Sequence, residues 1–568
     1  MKLSHVTIKG FRSLRNVDLD LPQVCALVGP NNSGKSNLLH AIQRVMGRDW
    51  VSASSFSEDD VYLRDSARDI EIVLTFDSPV SYGKIYGTPP AAIHSVSFKY
   101  TRYKIGAQKG ERRLEQECRD AKGAKPLIVG KKPTKGVAYQ YEPVVGIPSE
   151  VRDAVPLVYI GTNRSLKEHL PGARFSLLRP LLEDIDRALH DPKSTIAVPG
   201  PDGIPIETSR AERFQSLMKD VLDVLRTTDL ELLEKTIKDN ALRQLGFDPA
   251  TDSERLDFFF SPFESMDFYK SLDLRVREGE FTISATELGE GIQNAIVLAI
   301  LRAFEQHRRK GAIILIEEPE MFLHPQMQRS LYRTLREIGQ TNQVIYATHS
   351  PHFVAVPDYH EVVLFRNGKN GTTVTSSALP TDSRRREKLL KELDPERNEL
   401  FFATKVLFVE GDTEKLAFPE YAQRLGLDLD REGATIVEVG GKRNLPEFGA
   451  IASSFGIPVG IVFDSDSSDF EGKRDEEKTF NAELQRLERP DGTVRVWRLS
   501  RNFEDHLRRT IGETTYQAEC QKRPNMGKPT RARLMASDAS LAIPDPVPEV
   551  LGWLAGSTRS ASDKIDAG

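Results

Sequence analysis

Two acid-bearing stretches carry the first chemistry that this sequence suggests. "VLFVEGDTE" (406–414) is an apolar run that delivers Glu410 at its end, then a glycine, then Glu414 four residues on. "GIVFDSDSSD" (460–469) repeats the device, with Asp464 and Asp466 on alternate positions and Asp469 nearby. Neighbouring strands of a parallel sheet end side by side, so carboxylates borne on their C-terminal ends can converge. Like charges gathered there repel, and a divalent cation is the usual remedy. Donors that are all oxygen argue for Mg²⁺ or Mn²⁺ rather than zinc. Two later residues extend the cluster. Glu504, with Asp505 beside it, follows a further predicted strand in "LSRNFEDHL", and Lys528 lies in the glycine-bearing "PNMGKPTRARL". Another acid suits a second metal ion, and a lysine suits neutralisation of a phosphorane-like transition state. No tyrosine stands next to the acids, Tyr516 being the nearest candidate, so nothing points to covalent cleavage through a tyrosine.

A second constellation lies upstream. "GPNNSGKS" (29–36) fits the phosphate-loop pattern between an apolar run and an amphipathic stretch. Its glycines let backbone N–H groups approach phosphates at a helix N-terminus. Gly29, Asn31, Asn32, Ser33, Gly34, Lys35, Ser36 and Asn37 are therefore candidate nucleotide contacts. Lys35 is expected to reach the β- and γ-phosphates of ATP and the Ser36 hydroxyl to hold Mg²⁺. "AIILIEEPEMFLHP" (312–325) ends an apolar run in Glu317 and Glu318. The first suits the shell of the Mg²⁺ ion, and the second can orient or deprotonate the attacking water. "QVIYATHSP" (343–351) places His349 just past another apolar run, where it can sense the γ-phosphate.

The elements that must position these residues follow from periodicity. A chain of 568 residues exceeds one ordinary core, and 39% hydrophobic with 28% charged residues is a globular composition. The pattern predicts strand, loop and helix around the phosphate loop, then antiparallel strands near 69–79 and 92–103. The Gly-, Lys- and Gln-rich stretch 106–135 reads as loops or hairpin ends. Residues 1–164 and 251–380 form the two parts of one α/β unit around a helical insertion at 165–250, where apolar residues recur every three or four positions. A Pro/Gly-rich connector, "DPKSTIAVPGPDGIPIET", divides its helices, and a dimer contact is a natural role for the insertion. Residues 381–400 read as a charged linker, 401–540 as a second α/β unit, and 541–568 as a tail.

Composition excludes little about partners. The formal net charge is −5, and the basic runs "QKGERR" (108–113) and "SRRREK" (383–388) read first as solvated faces. Three widely spaced cysteines give neither a disulfide framework nor a zinc site. No apolar run approaches the ~20 residues of a membrane helix. The first residues alternate like a strand rather than a signal peptide, so no membrane and a cytoplasmic location are the expectation.

The phosphate loop, the double acid with "PEMFLHP", "ATHSP" and the opening "VTIKGFRSL" (6–14) together resemble the ABC-type (RecF/SMC-like) ATPase head. In that group a signature motif from one protomer completes the nucleotide site of the other. The resemblance implies this role for "LGEGIQN" (288–294), with Gly289 and Gly291 on the nucleotide and Glu290 departing from the usual small residue. Ser57–Asp60 is the candidate Q-loop. A glutamate on one strand and Asp-x-Asp on a later one resemble the TOPRIM fold. The ordered whole, an ABC-type ATPase head with a helical insertion followed by a C-terminal TOPRIM domain, resembles the OLD (overcoming lysogenization defect) family of ATP-dependent nucleases, to which the Gabija defence nuclease belongs. The resemblance implies metal-dependent cleavage of DNA, a homodimer or higher oligomer, and service in defence against phage. It also implies that Glu410, Glu414, Asp464, Asp466, Glu504 and Lys528 make the nuclease centre.

The expectation is thus an ATP-regulated, Mg²⁺- or Mn²⁺-dependent DNA endonuclease or nickase, with a UvrD-like helicase as a conceivable partner. The alternative is a RecF/SMC-like repair ATPase whose TOPRIM unit is only a scaffold, and the full set of acids counts against it. Action on RNA, or primer synthesis, is the third reading.

Overall fold

The computed structural model describes residues 1–47, 51–65, 67–131, 138–162, 166–173, 178–199, 204–256, 264–278, 281–307, 311–368, 371–380, 389, 395–465 and 474–556. It divides into two compact units, residues 1–162 with 311–568, and residues 163–310. Asp466, Asp469, the run 383–388 and most of the expected linker lie outside the described residues.

In the first unit a six-stranded sheet runs in the order Gly371–Ser376, Val362–Gly368, Val24–Val28, Gln343–Thr348, Ile313–Glu317, Leu157–Ile160. All neighbours are parallel except the first pair. "VCALV", "IILIE" and "QVIYAT" are buried at every position, as strands covered on both faces must be. The phosphate loop joins Val24–Val28 to the helix Lys35–Met46, whose buried face is Leu38, Leu39, Ala41, Ile42, Val45 and Met46. Beside this sheet lies an antiparallel one, ordered Leu14–Asp20, Leu3–Phe11, Ile70–Tyr82, Ala91–Arg102, Arg112–Arg119. The last strand falls inside the stretch read as loops. Its polar residues disguise it, because Arg112 lays its guanidinium 4.8 Å from the Tyr100 ring centre and only Cys118 is fully buried.

The rest of this unit carries a four-stranded parallel sheet, ordered Ala434–Glu438, Lys405–Val409, Val459–Asp464, Val494–Leu499. The chain starts on Lys405–Val409, moves to one side, then crosses to the other. The ends of Lys405–Val409 and Val459–Asp464 therefore flank the switch point, where open α/β sheets bind ligands. Phe418, Tyr421, Trp497 and Phe503 build one face of its core. The Ala-, Ser- and Pro-rich end of the chain contributes the helix Val547–Leu554, which buries Val547, Val550, Leu551 and Leu554 in that same core.

Arg397 and Asn398 are among the residues that join the halves of this unit, as are Arg366, which donates to the Gly456 and Ala403 carbonyls, and Ser377, which meets Ser454. The amide nitrogen of buried Asn398 donates to the carbonyls of Pro351 (2.9 Å) and Val354 (2.8 Å), and its oxygen accepts the Val356 N–H (3.1 Å). Arg397 donates from Nε to the Glu438 carbonyl (2.8 Å) and from Nη2 to its carboxylate (2.7 Å).

The second unit holds the helices Leu178–Leu189, Arg210–Leu225, Thr228–Gln244 and Glu290–His307. The long periodic run breaks at Thr227, whose hydroxyl caps the next helix by accepting the Leu230 N–H at 3.3 Å. The Pro/Gly-rich connector contains a hairpin of Thr195–Pro199 and Pro205–Ser209. Leu217, Val221, Val224 and Leu225 on one helix and Leu232, Leu233 and Ile237 on the next are exposed.

Candidate nucleotide site and carboxylate centre

The phosphate loop has its shape because a side chain fits at neither of two glycines. Gly29 (φ +148°) and Gly34 (φ +100°) both lie in the left-handed half of backbone space. A Cβ on Gly29 would sit 2.1 Å from the Phe365 carbonyl oxygen, and one on Gly34 2.7 Å from the Ser13 and Thr372 hydroxyls. Asn32 (φ +61°) adopts the same region, which asparagine tolerates. Buried Lys35 donates to the carbonyls of Gly29 (2.8 Å) and Pro30 (3.0 Å). Burial brings its pKa down to about 8, against the pull of Glu318 and Glu320. Asn37 donates to the Ser13 hydroxyl at 2.9 Å, behind the loop.

Ser36 and Glu317, the two groups expected around one Mg²⁺ ion, stand near enough for the serine hydroxyl to pull the Glu317 pKa down. Burial raises the Glu317 pKa, while hydrogen bonds from Ser36 and Tyr159 oppose the rise. Tyr159 lies in the edge strand of the six-stranded sheet, and its hydroxyl is 3.0 Å from Nε2 of His40, which in turn is 3.4 Å from Glu317. Arg12 donates to Nδ1 of His40 (2.8 Å) and to Asp60 (2.9 Å). An arginine can only donate, so Nδ1 accepts and Nε2 carries the imidazole proton. Burial, then Arg12 and Arg44, bring the His40 pKa down to about 4, so the ring is neutral. Sequence reasoning missed Arg12, His40 and Tyr159. The available signal was His40 standing four residues after Ser36, on the same helix face. Of the candidate Q-loop, Asp60 reaches this network through Arg12, while Glu58 pairs instead with Arg102 and Arg112.

Glu318 has a left-handed backbone (φ +44°), a strained setting for a glutamate, and its N–H donates to Ala347 at 2.8 Å. This aims its carboxylate at Nε2 of His349, 3.2 Å away. Burial pushes the Glu318 pKa up, but hydrogen bonds with His349 and Glu320 outweigh it and leave the group below its ordinary value. Glu320, also missed from sequence, accepts from the Thr348 hydroxyl (2.8 Å) and the His349 N–H (2.5 Å). Its pKa rises to about 7, through burial first and the Glu318 charge besides. Environments that drive two carboxyls apart in this way mark a division between base and proton holder.

In the second unit, Gly289 precedes the helix Glu290–His307 and Gly291 lies in its first turn. Gln293 ties this helix start together, donating to the Thr286 (3.0 Å) and Leu288 (2.7 Å) carbonyls and accepting the Leu166 N–H (3.1 Å).

At the switch point of the four-stranded sheet, the Glu410 carboxylate accepts the backbone N–H of Asp464 at 2.7 Å, so the two acid-bearing strand ends are bonded to each other. Glu414 lies in the first turn of the helix Asp412–Arg424 and is buried. Burial, with the charges of Glu410 and Glu504 adding to it, pushes its pKa up to about 7. Glu504 is the second residue of the helix Phe503–Ile511, which Asn502 caps by accepting the Asp505 N–H at 2.9 Å. Its neighbour Asp505 pairs with Arg501 at 3.1 Å. Lys528 is exposed at the start of the helix Lys528–Ser537. That helix runs parallel to Asp412–Arg424, because Arg533 meets Glu420 (2.8 Å) and Arg424 meets the Ala536 carbonyl (2.9 Å). Both helices thus begin at the same end, which puts Lys528 on the side of Glu414.

Among the described residues no three His, Cys, Asp or Glu side chains already meet as a metal cage. The donors nevertheless fit a divalent cation. They are all oxygen, one of them is buried, and burial, with the charges of Glu410 and Glu504, favours a proton on Glu414 that a cation would displace. A pH dependence follows. A carboxyl whose pKa is raised on folding contributes stability that is present below its unfolded value, near 4.5, and lost as pH rises through about 7. The metal-free protein should therefore lose on the order of 3 kcal/mol of this contribution between pH 4.5 and 7. Glu414→Gln should flatten that part of the profile, as read by chemical denaturation in chelator at a series of pH values.

Fold and sites together define a P-loop ATPase joined to a TOPRIM carboxylate centre. The comparisons agree. The AAA ATPase domain family matches residues 1–133 and 163–354, and the "Overcoming lysogenization defect protein-like, TOPRIM domain" family matches residues 401–466. The OLD nuclease of Thermus scotoductus is 30% identical, covering 96% of this chain and 100% of that protein. The Old nuclease of Escherichia phage P2 is 25% identical, covering 82% and 77%, and the endonuclease GajA of Bacillus cereus (strain VD045) 23%, covering 84% and 76%. The chain belongs to the OLD nuclease family. Its two domains imply use of a nucleotide and of a divalent metal. Among the described residues no helix is long and apolar enough to cross a membrane.

Proposed function

We propose that this chain is an ATP-regulated DNA endonuclease or nickase that works with Mg²⁺ or Mn²⁺. Glu410, Glu414, Asp464, Asp466 and Glu504 are its metal ligands, and Lys528 is its charge-neutralising group. The observation that carries the reading is the 2.7 Å bond from Asp464 N–H to Glu410, which brings two acid-bearing strand ends together at a switch point. Bound there, the metal ions supply an activated water and stabilise the leaving oxygen of the phosphodiester. The protein's own part is to hold the carboxylates around the switch point at the C-terminal end of the sheet and to bring Lys528 to the anionic phosphate. At the nucleotide site Lys35 and Ser36 bind the phosphates, Glu317 joins Ser36 at the metal, and Glu318, oriented by His349, accepts the proton of the attacking water. Gly289 and Gly291 are proposed to complete the nucleotide site of a second copy.

The reading is tested by nicking of supercoiled plasmid with Mg²⁺ or Mn²⁺, with and without ATP, for wild type, Lys35→Ala and Glu410→Ala. Wild type that never cuts under any nucleotide condition sinks the nuclease reading and leaves a DNA-repair ATPase. A matched RNA substrate distinguishes the nucleic acid.

Assembly as a homodimer through the helices 210–244 is supported by their exposed apolar side chains, which a monomer has no reason to display in such number. Val224→Glu combined with Leu232→Glu should shift the mass measured by light scattering to that of a single chain.

A further inference from the structure

We propose that Lys442 is a positioning residue of the carboxylate centre, holding Asp464 by its carbonyl while Glu410 holds it by its N–H. The inference rests on the nuclease reading above and assigns a role to a residue outside the acid motifs.

Lys442 opens the short helical turn Lys442–Asn444 that follows the strand Ala434–Glu438. The approach is fixed by two consecutive left-handed glycines, Gly440 (φ +73°) and Gly441 (φ +109°). The Gly441 N–H donates to the Glu410 carbonyl at 3.0 Å, so the turn is registered on the glutamate itself. Asn444 closes it by donating to the Val439 carbonyl at 2.7 Å. From there Lys442, only 7% exposed, reaches across the sheet end and donates to the Asp464 carbonyl at 2.5 Å. Its ammonium also lies 5.5 Å from the Phe463 ring centre and 3.5 Å from Glu477.

An ion pair with Glu477 alone accounts poorly for this arrangement. Glu477 already has a nearer cation in Arg443, at 2.6 Å, whereas the short bond of Lys442 goes to a backbone carbonyl. Burying an ammonium is costly unless its surroundings favour the charge. Here they do, because Glu410 and Asp464 stand together at the C-terminal ends of two neighbouring central strands. With its carbonyl and its N–H both held, Asp464 has little freedom to rotate its peptide units. Its carboxylate is then presented to a cation without reorganisation, which is how groups that hold metal ligands set affinity.

The test uses the whole chain, both without nucleotide and with ATP. Mn²⁺ binding is measured by calorimetry, and nicking is followed as Mn²⁺ is titrated, for Lys442→Met, Lys442→Arg and, as a neighbour control, Arg443→Met. Lys442→Met should weaken Mn²⁺ binding by roughly tenfold or more and raise the Mn²⁺ needed for half-maximal nicking in parallel. Its ATP hydrolysis should stay at the wild-type rate, and its chemical denaturation midpoint should stay near wild type, which reports an intact four-stranded sheet. Lys442→Arg should stay within a few-fold of wild type, and Arg443→Met should match it. Should Lys442→Met not fold, Lys442→Gln replaces it and must also weaken Mn²⁺ binding. A folded Lys442→Met or Lys442→Gln that binds Mn²⁺ as wild type does overturns the assignment. Wild type that neither binds Mn²⁺ nor cuts overturns the nuclease reading instead, so the two failures are distinguishable.

Discussion

Glu410→Ala is expected to lower plasmid nicking by about 10³-fold, the scale set by losing a carboxylate that holds a catalytic metal. Two functions of Glu410 are lost together, its charge and its acceptance of the Asp464 N–H. Glu410→Gln separates them, since the amide oxygen still accepts that N–H while the charge is gone. Its nicking should fall as far as that of the alanine variant. Its stability, however, should stay near wild type, whereas the alanine variant should lose about 1–3 kcal/mol for the orphaned N–H. Gel conversion of supercoiled to open-circular plasmid reads the first effect and chemical denaturation the second. ATP hydrolysis should be unchanged in both, because Glu410 belongs to the four-stranded sheet and the phosphate loop to the six-stranded one. Nicking by Glu410→Ala at the wild-type rate would place the centre elsewhere.

Glu318→Gln is expected to have a comparable effect on the other reaction. ATP hydrolysis should fall by about 10²–10⁴-fold, the usual contribution of a positioned general base. ATP binding should persist, since Lys35, Ser36 and Glu317 are untouched. The left-handed backbone of Glu318 and its 3.2 Å contact with His349 give the carboxylate one direction, and glutamine keeps the shape while removing the base. Single-turnover hydrolysis beside fluorescent-nucleotide binding separates the two effects. Loss of binding along with hydrolysis would mean that Glu318 acts through loop structure rather than chemistry.

The parts legible from sequence are those whose signal is local. A glycine-rich loop after an apolar run, two acids at the end of another and a glutamate at the end of a third each announce a strand end. The structure puts Gly29, Glu317, Glu318 and Glu410 at or next to such ends. The periodic insertion likewise became helices, with a break that only the cap at Thr227 explains. What stayed hidden depends on contacts across the sheets. Tyr159 and His40 stand 119 residues apart and meet only because Leu157–Ile160 takes the edge beside Ile313–Glu317. Lys442 reads as one more charged loop residue until the Gly-Gly turn carries it to Asp464. Arg112–Arg119 escaped notice because an edge strand covered by arginine stems lacks a clean apolar alternation.

The seam at Arg397 and Asn398 has a mechanical meaning. Asn398 grips the three backbone groups that follow His349, and its neighbour grips Glu438, the residue paired with Val409 just before Glu410. A shift of the segment beyond His349 would thus bear on the strand alongside the one that ends before Glu410, the proposed metal ligand. With Arg366 holding the Ala403 and Gly456 carbonyls beside them, these side chains form a clasp that bypasses the peptide connection and ties one sheet to the other.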